Sequence, residues 1–167
     1  MAFRHLLSVM LIVAVLLPAA ANAQVVVSER GSQTTPSRNV FGLGFEGGPT
    51  TGLGLGFRHH LPAPFSYQLV GGVMKATDRL YYSIGAEFEY DLSRSSAVRF
   101  YGATAFAYFY SGIGGHNDMI APSRVGVGIG VEGLAGGGFH INGDLLFTYF
   151  SDGTVIPLPQ IGIYYYF

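Results

Sequence analysis

From Asn39 to Phe167 the chain falls into eight segments in which apolar residues alternate with small, polar or charged ones. A strand turns successive side chains to opposite faces, so period-two alternation gives each segment one apolar face and one polar face. The expected strands are Asn39–Gly47, Thr51–His60, Phe65–Ala76, Leu80–Leu92, Ala97–Tyr110, Arg124–Leu134, Phe139–Phe150 and Gln160–Phe167, separated by turn-forming Gly, Pro, Asn, Asp and Ser residues. Charge sorts with the pattern. Every charged residue inside these strands lies on the polar face except Lys75, which sits at a strand end where its long stem can lift the ammonium to an interface.

Eight one-sided strands could form a soluble sandwich, but the composition argues otherwise. The chain is 49% hydrophobic and 11% charged, far below the usual quarter of charged residues. The last strand, Gln160 to Phe167, puts Ile161, Ile163, Tyr165 and Phe167 on one face. As a free edge in water it would recruit other strands. In a closed barrel no edge remains, and the apolar face can meet lipid. The fold expected is therefore all-β: an eight-stranded antiparallel transmembrane up-and-down β-barrel over 39–167. Outward aromatics then gather at two levels. Phe65, Tyr67, Tyr90, Phe100, Tyr165 and Phe167 lie near the end carrying the termini, and Phe45, Tyr82, Phe106, Tyr108, Phe147 and Tyr149 lie near the other.

Residues 1–23 read as a cleavable signal peptide: Arg4 and His5, an apolar run from Leu6 to Leu17, then Ala21-Asn22-Ala23, with Ala21 and Ala23 as the small residues of the cleavage site. Residues 24–38 read as a periplasmic leader. Export across an inner membrane and a barrel together place the protein in the cell outer membrane. A net charge of -1 offers no basic field for nucleic acid, and no Cys is present for disulfides or thiolate metal ligands.

The signal peptide, the alternating segments and the terminal Tyr164-Tyr165-Tyr166-Phe167 together resemble the small eight-stranded outer-membrane barrels, the OmpX-like proteins and the transmembrane domain of OmpA-like proteins within the opacity-type group. The resemblance implies that Ile163, Tyr165 and Phe167 serve as an assembly signal read by the barrel assembly machinery. It further implies contact with outer-membrane lipid and lipopolysaccharide, a monomer, and no cofactor.

An eight-stranded barrel is just wide enough for side chains to fill. Parity sends Arg58, Glu87, Glu89, Asp91, Arg99, Glu132 and His140 inward, and buried charge must be paired. Glu89 or Asp91 is expected to pair with Arg99 across a short turn, Glu132 with His140, and Arg58 with the acidic row of the fourth strand. This cluster is a structural plug or, in the alternative, the polar wall of a narrow channel for small solutes. Inward glycines such as Gly44, Gly54 and Gly128 either make room for Tyr101, Phe109, Met74, Tyr164 and Tyr166 or leave a cavity for a small ligand. Two weaker patterns remain. His116 and Asp118 with Ser111 or Ser123 have the residue types of a lipid-A-modifying enzyme, although the spacing matches no such motif, and the chain is expected to be non-enzymatic. His59 and His60 point to opposite faces, which disfavours a shared metal.

Overall fold

The computed structural model describes residues 39–95, 98–136 and 138–167. The expected signal peptide, with Ala21 and Ala23, and the leader lie outside these residues. The strands are β1 (Val40–Gly48), β2 (Gly52–His60), β3 (Phe65–Ala76), β4 (Arg79–Arg94), β5 (Val98–Ile113), β6 (Ser123–Gly136), β7 (Phe139–Phe150) and β8 (Val155–Tyr166). Each pairs antiparallel with its neighbours in sequence, and β1 pairs with β8 from Gly42↔Tyr166 to Gly47↔Ile161, which closes the sheet into a barrel. A two-residue bridge, His116–Asn117, folds back on β5. The fold expected from alternation is the fold observed.

The faces sort as parity requires. Leu55, Ile84, Phe88 and Ile129 stand more than 60% exposed on the outside, whereas Arg58 and Arg99 are fully buried inside. The aromatic belts are in contact. Phe65 packs on Tyr90 at 4.9 Å and Phe139 on Tyr165 at 5.3 Å near the terminal end, and Tyr82 stacks on Tyr110 at 4.7 Å near the other. A closed ladder with an apolar exterior ringed by aromatics is a membrane-spanning barrel of the outer-membrane kind. In the turn after β7, the Asp152 carboxylate accepts a hydrogen bond from the Thr154 N–H at 2.9 Å, which holds its carboxyl below the usual range.

Four strands run further than alternation indicates, among them β6, which spans Ser123–Gly136 instead of Arg124–Leu134. β4 reaches Arg94 through a bulge between Asp91 and Ser93, and β5 reaches Ile113. The largest correction is β8, which starts at Val155 and includes Pro157 and Pro159. Proline in a strand is tolerated where its missing N–H faces no partner. Phe167 N–H donates to Phe41 O on β1, while Thr154 O accepts from Phe150 N–H on β7. Residues in step with Phe167 therefore turn their backbone toward the β1 side, and Pro157 and Pro159 are among them. At their level β1 has already ended, since its pairing with β8 stops at Ile161. The two prolines thus lie along a bare edge and remove two of its donors. Changing both to Val is expected to move the detergent-purified protein toward dimers and larger species on size-exclusion chromatography. An unchanged elution profile would remove the edge-protection role.

Candidate functional site: a lumen closed in layers

The lumen is filled in three layers. Nearest the terminal end lies an ion-pair layer. Arg99 extends over the Tyr101 ring at 4.3 Å and donates to Glu89, to Glu132 at 2.6 Å, to Asp91 at 3.0 Å and to the Ser66 hydroxyl at 3.0 Å. Arg58, over the Tyr164 ring at 4.4 Å, donates to Glu132 at 3.2 Å and to Gln68 at 3.0 Å, and lies 3.1 Å from Glu89. Asp91 also holds Arg94 at 2.8 Å. Two planar guanidiniums, each stacked on an aromatic face and forked onto shared carboxylates, use geometry that lysine could not reproduce.

The expected cluster is placed with some rearrangement. Arg99 and Glu132 are direct ladder partners on β5 and β6, consecutive strands joined by a long loop, so turn proximity does not reveal the pairing. His140 is 3.8 Å from Glu132 and meets the edge of the Tyr166 ring at 5.0 Å, so it stands at the margin. Glu87 lies apart from the arginine contacts and accepts from Gln160 at 3.2 Å. Sequence reasoning overlooked His60, which turns inward to Ser66 at 2.7 Å and to the Tyr166 hydroxyl at 2.9 Å, while that hydroxyl donates to Glu132 at 2.6 Å. His59 points outward and stacks on Phe41 at 4.2 Å. The two histidines do occupy opposite faces.

The middle layer holds Glu46, Glu87 and Asp144 among Tyr101, Asn142, Tyr164 and Gln160. Tyr101 donates to Asp144 at 2.5 Å, and Tyr164 donates to Glu46 at 3.2 Å. The Asn142 amide N–H reaches Asp144 at 3.2 Å and Glu46 at 3.5 Å.

The third layer is backbone. Pro49, Thr50 and Thr51, at the tip between β1 and β2, fold into the barrel instead of outward, and both threonines are fully buried. Gly52 and Gly54 supply the inward bend with φ of 111° and 150°, which other residues rarely adopt. A single side-chain oxygen, Gln160 Oε1, accepts from Thr50 N–H at 3.2 Å, Thr51 N–H at 2.7 Å and the Thr51 hydroxyl at 2.8 Å. Thr50 and Thr148 share a hydroxyl bond of 2.6 Å. Glycines on the opposite wall receive the tip. A Cβ at Gly85 would stand 2.1 Å from Thr51 O, and one at Gly126 would stand 2.5 Å from Thr50 Cγ2. Arg124 caps the tip from above. It donates to Pro49 O and lies over Phe109 at 3.9 Å.

At the far rim, Asp118 pairs with Arg79 at 2.9 Å, Arg79 also donates to Ser111 at 3.2 Å, and the His116 carbonyl accepts from Tyr110 at 3.0 Å. These contacts tie the long β5–β6 loop to β4 and β5.

No family model matches the chain, and no curated protein matches it either. Among solved structures it is similar to the N-terminal β-barrel domain of Pseudomonas aeruginosa OprF, at 14% identity and TM-score 0.49, over 79% of this chain and 100% of that one. It is also similar to the Yersinia pestis outer membrane protein Ail in a phospholipid nanodisc, at 15% identity and TM-score 0.44, over 77% and 97%. A third likeness is to Neisserial surface protein A, at 17% identity and TM-score 0.42, over 77% and 95%.

Proposed function

We propose that this chain is an outer-membrane barrel with a structural or surface role and a lumen that stays shut at rest. The observation that carries this reading is double closure. Side chains seal the terminal half through the Arg58 and Arg99 layer, and the inturned Pro49–Thr51 tip seals the other half. The two seals use different chemistry, paired charges in one half and backbone with hydroxyl groups in the other. The outward Ile163, Tyr165 and Phe167 belong to the same reading as the assembly signal presented to the barrel assembly machinery, with lipid and lipopolysaccharide as the surroundings of the finished barrel. Planar-bilayer recording of the purified protein tests it. The expected trace shows no steady unitary openings. Sustained ohmic conductance from the monomeric barrel would overturn the closed-lumen reading and favour a narrow channel.

A further inference from the structure

The barrel wall is incomplete at its outer rim. β1 pairs with β8 only as far as Gly47↔Ile161, and β2 pairs with β3 only as far as Leu55↔Gly71. β3 nevertheless runs on to Ala76 beside β4, and β8 starts as early as Val155 beside β7. Among the described residues no strand stands between residues 73–76 of β3 and 155–159 of β8, because the tip of the β1–β2 hairpin folds into the lumen. The result is a notch two strands wide. Its flanks are apolar, with Val73, Met74 and Val155 more than half exposed. Its depth follows from its neighbours. Val73 lies opposite Tyr82, and Val155 and Pro157 lie opposite Tyr149 and Phe147. These aromatics form the outer belt, which marks the boundary between headgroups and acyl chains.

A groove runs down the lipid-facing wall from this notch. It encloses about 410 Å³ and is lined by Phe45, Leu53, Ile141, Ile161 and Ile163 over the bare main chain of Gly47. That volume is in the range of small-molecule sites. The upper end of the groove is the floor of the notch, since Gly47↔Ile161 is the last pair beneath it and Leu53 is the partner of Gly47 on β2. Glu46 also borders the groove but turns its carboxylate into the lumen, to Tyr164 and Asn142.

Charge at the notch is unbalanced. Arg124 donates to the Pro49 carbonyl at the tip, which sets its guanidinium on the inner side of the notch. It lies over the Phe109 and Phe150 rings at 3.9 Å and 4.9 Å and is half-buried. Among the described residues it forms no ion pair, and its Nε–H has no acceptor. A planar guanidinium in that state suits a phosphate, which its fork can meet with two parallel hydrogen bonds.

We propose that the groove and the notch together hold one phosphorylated membrane lipid. An acyl chain lies along Gly47 between Phe45, Leu53, Ile161 and Ile163, and the phosphate enters the notch to meet Arg124. The vertical order is that of an outer-leaflet lipid, with the head at the aromatic belt and the chain below it. Glycine at position 47 leaves the floor open. A Cβ there would meet Leu53 Cδ1 at 3.6 Å and the Ile161 carbonyl at 3.8 Å, which are ordinary contacts, so the barrel accommodates a side chain that the lipid would not. The inference rests on the outer-membrane reading of the barrel and stands whether or not the lumen conducts.

The test incubates the detergent-purified barrel with mixed micelles of phosphatidylglycerol or of diacylglycerol with the same chains. Free lipid is removed by size-exclusion chromatography, and native mass spectrometry reads what stays bound. The wild-type barrel is expected to carry one phosphatidylglycerol and little diacylglycerol. Gly47→Leu should lose the lipid while keeping the heat-dependent gel shift of a folded barrel. Gly102→Leu, on the far wall, has similar room, with the Gly128 carbonyl 3.9 Å from an added Cβ, and should keep it. Arg124→Gln should lower phosphatidylglycerol to the diacylglycerol level, a loss of selectivity that a merely structural role for Arg124 would not produce. The proposal is overturned if the wild-type barrel carries no phosphatidylglycerol, if it carries both lipids equally, or if Gly47→Leu retains as much as the wild type. The first two outcomes are read on the wild-type barrel and need no variant to fold. Conductance, measured separately, bears only on the closed-lumen reading.

Discussion

Replacing Arg99 with Ala is expected to destabilise the barrel by about 3–5 kcal/mol, the usual cost of removing one partner from a buried ion pair. Arg99 is fully buried and serves Glu89, Glu132 and Asp91 at once. Without it, Arg58 alone faces Glu89 and Glu132, while Asp91 keeps Arg94. The loss arises mainly from the carboxylate left behind, since the attraction between paired charges is largely offset by their desolvation. A second variant separates the two causes. Arg99→Met with Glu89→Gln keeps comparable volumes and restores balance between Arg58 and Glu132, so it should recover more than half of the loss. The chain has no Trp, so unfolding in urea is best followed by circular dichroism or by the heat-dependent shift on a detergent gel. If Arg99→Ala unfolds like the wild type, the layer is not an energetic plug. If the double variant is no better than the single one, lost packing against Tyr101 explains the effect instead of stranded charge.

The ion-pair layer also shows how far a sequence of this kind can be read. Facing direction was legible, because a period of two leaves a side chain only two choices. Arg58, Glu89, Arg99 and Glu132 are buried inside as parity requires, and Asp91 turns inward to Arg99. Partners were less legible, because they depend on how far each strand is staggered around the barrel, and that stagger is set by closure. Across the β4–β5 turn, the residue directly opposite Arg99 is Arg94, through a bulge. Arg99 reaches Asp91 and Glu89 only because its side chain is long. Its direct partner Glu132 lies on the other side, on β6. Likewise Glu132 stands opposite Asn142, and His140 stands opposite Leu134. Sequence adjacency could not supply the middle layer, where Glu46, Asn142 and Asp144 come together from β1 and β7 by way of β8.

The start of β8 was hidden for a different reason. Pro157 and Pro159 are strand breakers wherever both sides are paired, and only the early end of β1 makes that position permissive. The glycine stripes were half legible. Gly42, Gly56 and Gly130 do lie against Tyr166, Tyr164 and Tyr101, which is the size matching expected. Gly44 and Gly128, in contrast, face the carbonyls of Ile163 and Leu145 on neighbouring strands, so their smallness serves close backbone approach. Gly85 and Gly126 receive the inturned tip. Nothing local announces that tip, since Pro-Thr-Thr between two strands has the composition of an ordinary solvent-exposed turn.

The inturned tip leads to the second large expected effect. Gly85→Leu should expel it while leaving the sheet intact. Any Cβ at position 85 would meet the Thr51 carbonyl at 2.1 Å and the Ala107 methyl at 2.8 Å, and a branched side chain cannot share that space with backbone. The ladder itself does not depend on Gly85, which pairs with Val70 and Ala107 through its main chain. The displaced tip forfeits the three hydrogen bonds to Gln160 and the Thr50–Thr148 contact. A barrel without Cys allows a direct reading. Thr50→Cys introduces a single thiol at a fully buried position. In the otherwise unchanged barrel it should label with a membrane-impermeant maleimide only through local opening. Combined with Gly85→Leu, it should label at least about tenfold faster, as expected when a protected segment becomes open in the ground state. The ion-pair layer would still block the terminal half, so exposure of the tip should not by itself produce steady conductance. Equal labelling rates in the two backgrounds would show that the tip does not need the space beside Gly85, and the barrel would then have one internal seal instead of two.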